Sequence, residues 1–525
     1  MKNIKPYKYK PLSFSTTMRN PQRIPSFLKI IKKKSGEILT NEVINEILED
    51  IIKEKIYKPF FISKNEKFKL IYQSENKFNK EQIEEIIMNS PQNHKEAGFD
   101  KGWPSRFDTF YKLMKEWGLL YYKIGEKIEI SELGEFLIKA FENEEQFDIF
   151  ASYSIILSKY KTNNLYRKNL NSNKPLILLL DTIKKMRKIL NEDFVGISRL
   201  EIPIFLCWKD DDTELLSNFI IKIRKEIPKN KYTKENIYCE ILKYLDTNFE
   251  TMGNYIKLTK IFNESTDEYI RKMRESGLIS LRGMGKFIDW NSSNRDVINH
   301  ILSMDSEDTI NNEKDYFKFY GKLDNKILEL FECKKTGIDK NLIEKKQEFL
   351  VKFGNELSFE ELNEEFKKMR KKAPSENFVL KDMLEPTRLE FLTSVVFKKK
   401  FPDSSVMPNY LCDDEGIPFN HATGNRPDIV FLSDLINFPI EVTLISGSAD
   451  LTARELFPIV RHLKDDEMFN KHKLVLLIAP NFYEDNFLAR AFLEDDKKIK
   501  MKFLKIENVV SALLNMKTPN EVINL

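Results

Sequence analysis

The chain has no cysteine framework. Its four cysteines, Cys207, Cys239, Cys333 and Cys412, lie far apart and form no CxxC pair, so neither a zinc site nor a set of disulfides is indicated and a reducing compartment fits. Any apolar run near the ~18–20 residues of a membrane span is missing as well. The start, MKNIKPYKYKPLSF, is basic but has no apolar stretch of the kind a signal peptide carries. A soluble, cytoplasmic protein with no membrane partner is expected. Sustained heptads are absent, which argues against a coiled-coil arm. Charge of one sign is scarce overall, with a net of +4, yet residues 1–70 hold 16 Lys or Arg against 7 Asp or Glu, a local +9 that leaves −5 for the remainder. A nucleic-acid surface would lie at such a basic front, and a solvated lysine-rich face is the plainer alternative.

What is present begins with length: 525 residues exceed the ~250–300 that one core supports, so several domains are expected. The chemistry concentrates between His421 and His462. There PDIVFLS and FPIEVTLI are rich in β-branched residues and are separated by the polar break Ser433–Asn437, the pattern of an antiparallel hairpin. Pairing of the two strands brings Asp428 and Glu441 together near its open end. Two such carboxylates can hold a hard divalent cation through oxygen, with water and a substrate phosphate completing the shell. On these two acids alone, a pair of ordinary strand-end carboxylates is the competing reading.

Four separated pieces in order carry a resemblance. HATGNRPD (421–428), IEVT (440–443), PIVRH (458–462) preceded by Glu455, and upstream PTRLEFLT (386–393) with Glu390 together resemble the AlwI family of type IIS restriction endonucleases and related site-specific nicking enzymes. That family belongs to the PD-(D/E)xK nucleases. RNPQRIP near the start is similar to the beginning of such chains. Thr443 stands where the wider superfamily carries Lys, a departure that the AlwI-like EVT shares. The resemblance implies Mg²⁺ as cofactor, with Asp428, Glu441 and the Val442 main-chain carbonyl as ligands and Glu390 holding metal or metal-bound water. It also implies Glu455 as a second-metal ligand or water orienter. His462, two helical turns beyond Glu455, is a candidate to donate to phosphate or position water in place of the missing Lys, provided Pro458 does not bend the helix. Arg461 is a further phosphate candidate, and His421 and Asn425 have supporting places ahead of the motif.

In chain order, Arg19 and Arg23, flanked by Pro21 and Pro25, are candidates for an arm that contacts phosphate or a base edge, or for a surface strap. Residues 38–56 and 79–90 have helical patterns. In WPSRFDTFYKLMKEWGL, Phe107, Phe110, Tyr111, Met114 and Trp117 share one helix face and are expected in the core. LLYYKIGEKIEIS follows as a Gly-centred hairpin, and helix plus hairpin is the outline of a winged helix, whose second helix enters the major groove. On that reading Ser105, Arg106, Thr109 and Lys112 form a polar face free to reach DNA. TDEYIRKMRESGL followed by ISLRGMGKFIDW repeats the pattern, with Arg271 and Arg274 as counterparts.

The expectation is therefore a multidomain chain. Its mainly α N-terminal recognition region has two winged-helix-like modules, 1–140 and 141–304. A charge-dense helical linker spans 305–385, and a C-terminal α/β PD-(D/E)xK core spans 386–525. The implied partner is double-stranded DNA, with a transient second copy or a small nuclease subunit for the second strand. The resemblance implies a short asymmetric site cut at a fixed offset. Alternatives are a strand-specific nicking enzyme, the large subunit of a heterodimer and, from another class, a winged-helix regulator whose nuclease-like domain is inactive.

Overall fold

The computed structural model describes residues 11–15, 17–73, 76–167, 171–246, 256–304, 310–335, 340–422, 427–457, 459 and 473–525. The chain divides into two compact units, Met1–Tyr72 with Asn76–Gly337, and Gln73–Glu75 with Ile338–Leu525.

The first unit is mostly helical. Helix α1 (Ile24–Lys32) buries Phe27, Leu28, Ile30 and Ile31, and α2 (Asn41–Lys53) starts where the Thr40 hydroxyl accepts the Val43 N–H. In α3 (Trp103–Glu116) the aromatic stripe is core as the spacing requires, with Phe107, Phe110, Tyr111 and Met114 fully buried. Strands β1 (Leu120–Tyr121) and β2 (Glu129–Ile130) pair antiparallel, Leu120 opposite Ile130. An upstream segment closes them: Gly36 N–H donates to Ile128 O at 2.8 Å, Leu39 N–H donates to Glu126 O at 2.9 Å, and Ile38 bridges Lys127.

The same order recurs further along. Helix α4 (Pro175–Leu190), strand β3 (Ile197–Ser198) and helix α5 (Ile202–Cys207) precede α6 (Thr266–Arg274) and the hairpin β4 (Ile279–Arg282)–β5 (Phe287–Trp290). Strand β3 joins to give the order β3-β5-β4. Each hairpin is thus met by a segment from well before its helix, a paired strand at β3 and an isolated bridge at Ile38. The tip of the second hairpin needs Gly283 and Gly285, whose φ values of 56° and 78° lie in the left-handed region.

The stretch read as a linker, 305–385, contributes packed helices to both units. In the first unit, α7 (Glu313–Tyr320) is held by the Tyr316 hydroxyl, which donates to Glu116 O at 2.6 Å, and Phe331 of α8 (Asn325–Lys335) meets Phe150 at 6.3 Å between ring centres. In the second unit, α9 (Lys340–Glu356) and α10 (Phe359–Arg370) lie against α11 (Glu385–Lys400), with Phe349 and Phe353 on Phe391 at 5.7 and 4.9 Å. Phe349, Leu350 and Phe353, then Leu362, Phe366 and Met369, fall on buried faces while Ile343 and Val351 stay exposed, so sparse patterning is enough to dock these helices.

The second unit is built on a mixed sheet of order β12-β11-β10-β9-β6. Strand β9 (Ile429–Leu432) runs antiparallel to both β6 (Ser405–Pro408) and β10 (Asn437–Val442), while β11 (Leu474–Ala479) adds parallel to β10 and β12 (Lys500–Lys505) parallel to β11. Every residue of β11 is buried, as expected of a parallel strand covered on both faces. A separate hairpin, β7 (Tyr410–Cys412)–β8 (Pro418–Ala422), precedes the expected one. Helix α11 covers one face, where Phe397 meets Phe431 and Phe438. On the other, α12 (Ser448–Leu451) leads into a wide π-type turn, Thr452–Leu456, and α13 (Glu484–Lys497) follows later. Leu451, Leu456, Val475, Leu477 and Leu493 share a core there. Helix α14 (Val509–Asn515) and a short 3₁₀ turn, Pro519–Asn524, follow.

Candidate active site

The hairpin register decides the geometry. Ile429 pairs with Ile440, so the next residues outward, Asp428 and Glu441, stand opposite each other. The Asp428 N–H donates to Glu441 Oε2 at 3.2 Å, and the Val442 N–H donates to Asp428 Oδ2 at 2.8 Å. These two backbone-to-carboxyl bonds hold the acids side by side. Asn409 fixes the approach: its N–H donates to Asp428 O at 2.9 Å and its Nδ2 to Pro427 O at 2.5 Å.

Both acids resist ionisation. Burial, the Glu441 charge and the more distant Glu455 charge hold the Asp428 carboxyl well above the usual carboxylate range. Burial and the Glu455 charge push Glu441 up to about 8. Two adjacent carboxyls, Glu441 buried and Asp428 half-buried, are a poor place for two bare negative charges and a good receptor for a hard dication, which would displace protons from the same oxygens. The donor set therefore fits a divalent metal at Asp428 and Glu441. Among the described residues no group of three or more His, Cys, Asp or Glu side chains forms a ready cage, which leaves ligand positions for water, main-chain oxygen and substrate.

Glu455 sits in the Thr452–Leu456 turn, and its charge is felt by both acids. Glu390 is buried on α11, and its charge is felt by the buried Tyr410 phenol. Thr443 supplies no ammonium: its hydroxyl accepts the Ile445 N–H at 3.1 Å. His421 lies on β8. Asn425, Arg461 and His462 lie outside the described residues. Asn409 was not foreseen, because no periodicity marks a residue that acts only through backbone groups.

The AlwI restriction endonuclease family model matches residues 115–371 and 352–506. The chain belongs to the AlwI restriction endonuclease family. It is a DNA-cleaving nuclease of the restriction type, a class that generally uses divalent metal ions. Among solved structures it is similar to the small subunit R.BspD6I2 of the heterodimeric restriction endonuclease R.BspD6I, with 20% identity over 31% of this chain and 85% of that one and a TM-score of 0.26. It is also similar to restriction endonuclease FokI (13% identity, 99% of this chain and 98% of that one, TM-score 0.26) and to FokI bound to DNA (12%, 99% and 98%, 0.25). No curated protein matches. No helix among the described residues is long and apolar enough to cross a membrane.

The expected DNA-reading face of this AlwI-family chain is largely engaged within the protein. Ser105 is buried, its hydroxyl donating to Asp100 O at 2.7 Å and accepting the Glu96 N–H at 2.9 Å. Arg106 meets His94 Nε2 at 2.7 Å and the Tyr57 hydroxyl at 3.2 Å, with its guanidinium over the Tyr57 and Phe110 rings. The Thr109 hydroxyl donates to Arg106 O, and Lys112 pairs with Glu96 at 3.2 Å. The physical reason is the loop before α3, whose residues 94–100 return onto the polar face. Arg23 is half-buried, donating to Ile56 O and lying over the Phe27 ring. Arg274 is buried and Arg271 half-buried. Arg19 forms a 2.9 Å ion pair with Glu264 in which both side chains are about half exposed.

Proposed function

We propose that the protein is a type IIS-like restriction endonuclease that binds a short asymmetric duplex site and hydrolyses phosphodiesters at a fixed offset with Mg²⁺. The observation that carries this reading is the Asp428–Glu441 pair, two acids that face each other at the open end of a hairpin where a dication would be favourable. Asp428, Glu441 and the Val442 carbonyl would hold the metal. When bound, Mg²⁺ supplies an activated water and offsets charge on the phosphorane-like transition state. The chain's own groups then orient the reaction. Glu455 takes a proton from, or holds, the attacking water. Glu390 supports the site from α11, and His462 or Arg461 donates to the phosphate.

Recognition belongs to the first unit in this reading. The two repeats of helix, strand, helix and closed hairpin are winged-helix-like modules. Arg19 is the cation best able to exchange its internal partner for DNA, because its pair with Glu264 is exposed and worth ~0–1 kcal/mol. Arg23, Arg106, Lys112, Arg271 and Arg274 contribute the positive background, and Ser105 and Thr109 shape α3. Incubation with supercoiled plasmid and Mg²⁺, followed by run-off sequencing of both strands, reads site, offset and strandedness together. Termination at one fixed distance from one asymmetric sequence is the expected result. Random termination, or none, overturns the reading, and termination on a single strand identifies a nicking enzyme.

A further inference from the structure

Helix α13 begins with a side chain that the chemistry above does not use. Asn486 is fully buried. Its Oδ1 accepts the Tyr483 N–H at 3.0 Å, which closes the first turn of the helix. Its Nδ2 donates to Ser448 O at 2.9 Å and to Thr452 Oγ1 at 2.9 Å. A carboxamide buried this deeply is costly unless its donors and acceptor are all used, and here they are. Two of the three bonds cross to a segment 34 and 38 residues earlier in the chain, so Asn486 is more than a helix cap.

The segment it grips carries Glu455. Ser448 opens α12, and Thr452 opens the wide turn that ends at Leu456. Such π-type turns are less favourable than α-helix and occur mostly as single turns held in place by their surroundings, often at functional sites. Leu451 and Leu456, both fully buried against Val475, Leu477 and Leu493, hold the turn's apolar side. Its polar side is held at Thr452, three residues before Glu455. We infer that Asn486 is a positioning residue of the nuclease centre, pinning Ser448 and Thr452 so that the wide turn presents Glu455 to the Asp428–Glu441 pair. This rests on the proposed role of Glu455. If the grip is lost, the turn is free to relax toward α-helix, and that change of pitch redirects the side chains after Thr452.

The test uses the full chain, supercoiled plasmid and Mg²⁺ with enzyme in excess, and compares Glu455→Gln, Asn486→Ala, Thr452→Val and each of the latter two combined with Glu455→Gln. Thr452→Val is nearly isosteric, removes only the acceptor on the turn and leaves the other two bonds of Asn486, so it carries the test where Asn486→Ala does not fold. Each single variant is expected to slow cleavage by about 10- to 100-fold, the scale of a small misplacement of a reacting group, with plasmid binding unchanged. In the Glu455→Gln background neither second substitution should slow cleavage by more than about twofold, because the group they position is already disabled. Wild-type rates for Asn486→Ala and Thr452→Val beside an impaired Glu455→Gln overturn the inference, as does an equal loss in both backgrounds. A wild-type rate for Glu455→Gln overturns instead the role given to Glu455, and this inference with it.

Discussion

At the scale of single residues, the two facing acids govern both chemistry and stability. Asp428→Ala and Glu441→Ala are each expected to lower cleavage by roughly a thousandfold or more while site-specific DNA binding persists, measured by plasmid cleavage beside a gel-shift titration. A mutant that cuts at the wild-type rate removes that residue from the site. The raised affinities for protons have a definite sign in stability. In the metal-free protein Glu441 binds its proton more tightly folded, at about 8, than unfolded, near 4.5, so its contribution is fully present below pH ~4.5 and is lost as pH rises toward 8. Thermal unfolding in chelator should therefore show stability falling across that window. Glu441→Gln should flatten the fall, and Mg²⁺ should stabilise the wild type more at pH 8 than at pH 5. The pair was legible because β-branched runs and a polar break fix two strands, and two strands fix which residues face each other. The α3 cations were less legible. Helical spacing places Arg106 and Lys112 on a polar face but is silent about a loop ending near Gly102 that returns over that face. Arg106→Ala is accordingly expected to destabilise the fold by about 1–3 kcal/mol, through lost hydrogen bonds and ring contacts, and to leave the ratio of specific to non-specific binding unchanged.

At the scale of elements, close approaches mark where helices dock. Gly118 follows α3 with φ +71°, and a Cβ there would stand 2.4 Å from Tyr320 Cβ at the end of α7. Gly118→Ala is expected to cost about 2 to 4 kcal/mol in denaturant unfolding, since both the backbone angle and the helix contact oppose it. A cost under about 0.5 kcal/mol, the range of ordinary surface changes, would show that α7 is not seated there. The helices of 305–385 read in the sequence as a charge-dense linker, and in the structure they pack within the two units. Dense Lys and Glu suggest a solvated rod, yet Phe349, Leu350 and Phe353 recur at the spacing that builds one buried face. The small hairpin β7–β8 escaped notice because its strands are short and interrupted by bulges, which erases the alternation that reveals a strand.

At the scale of the whole molecule, the proposed reading places selection and cutting in different units of one chain. A single pair of facing acids addresses one phosphodiester at a time, so nicked plasmid is expected to precede linear plasmid. Mixing in Asp428→Ala protein should then slow linearisation more than nicking, read on an agarose gel at several enzyme concentrations. Linear product without a nicked precursor at every concentration would contradict one-strand-at-a-time action. The two-unit plan was only partly visible beforehand, because boundaries depend on which faces meet and composition changes gradually near residue 337.

The pleat of the catalytic hairpin has one more effect. Phe431 stacks on Phe438 at 5.0 Å, beneath Phe397, and Asp428 and Glu441 each lie three positions from these rings, an odd number that turns them to the opposite surface. A slip by one residue would thrust ionisable groups into a bed of phenylalanines and expose the rings to water. Misaligned pairing is thus penalised twice, and the two acids proposed to act on DNA also proofread the strand alignment on which they depend.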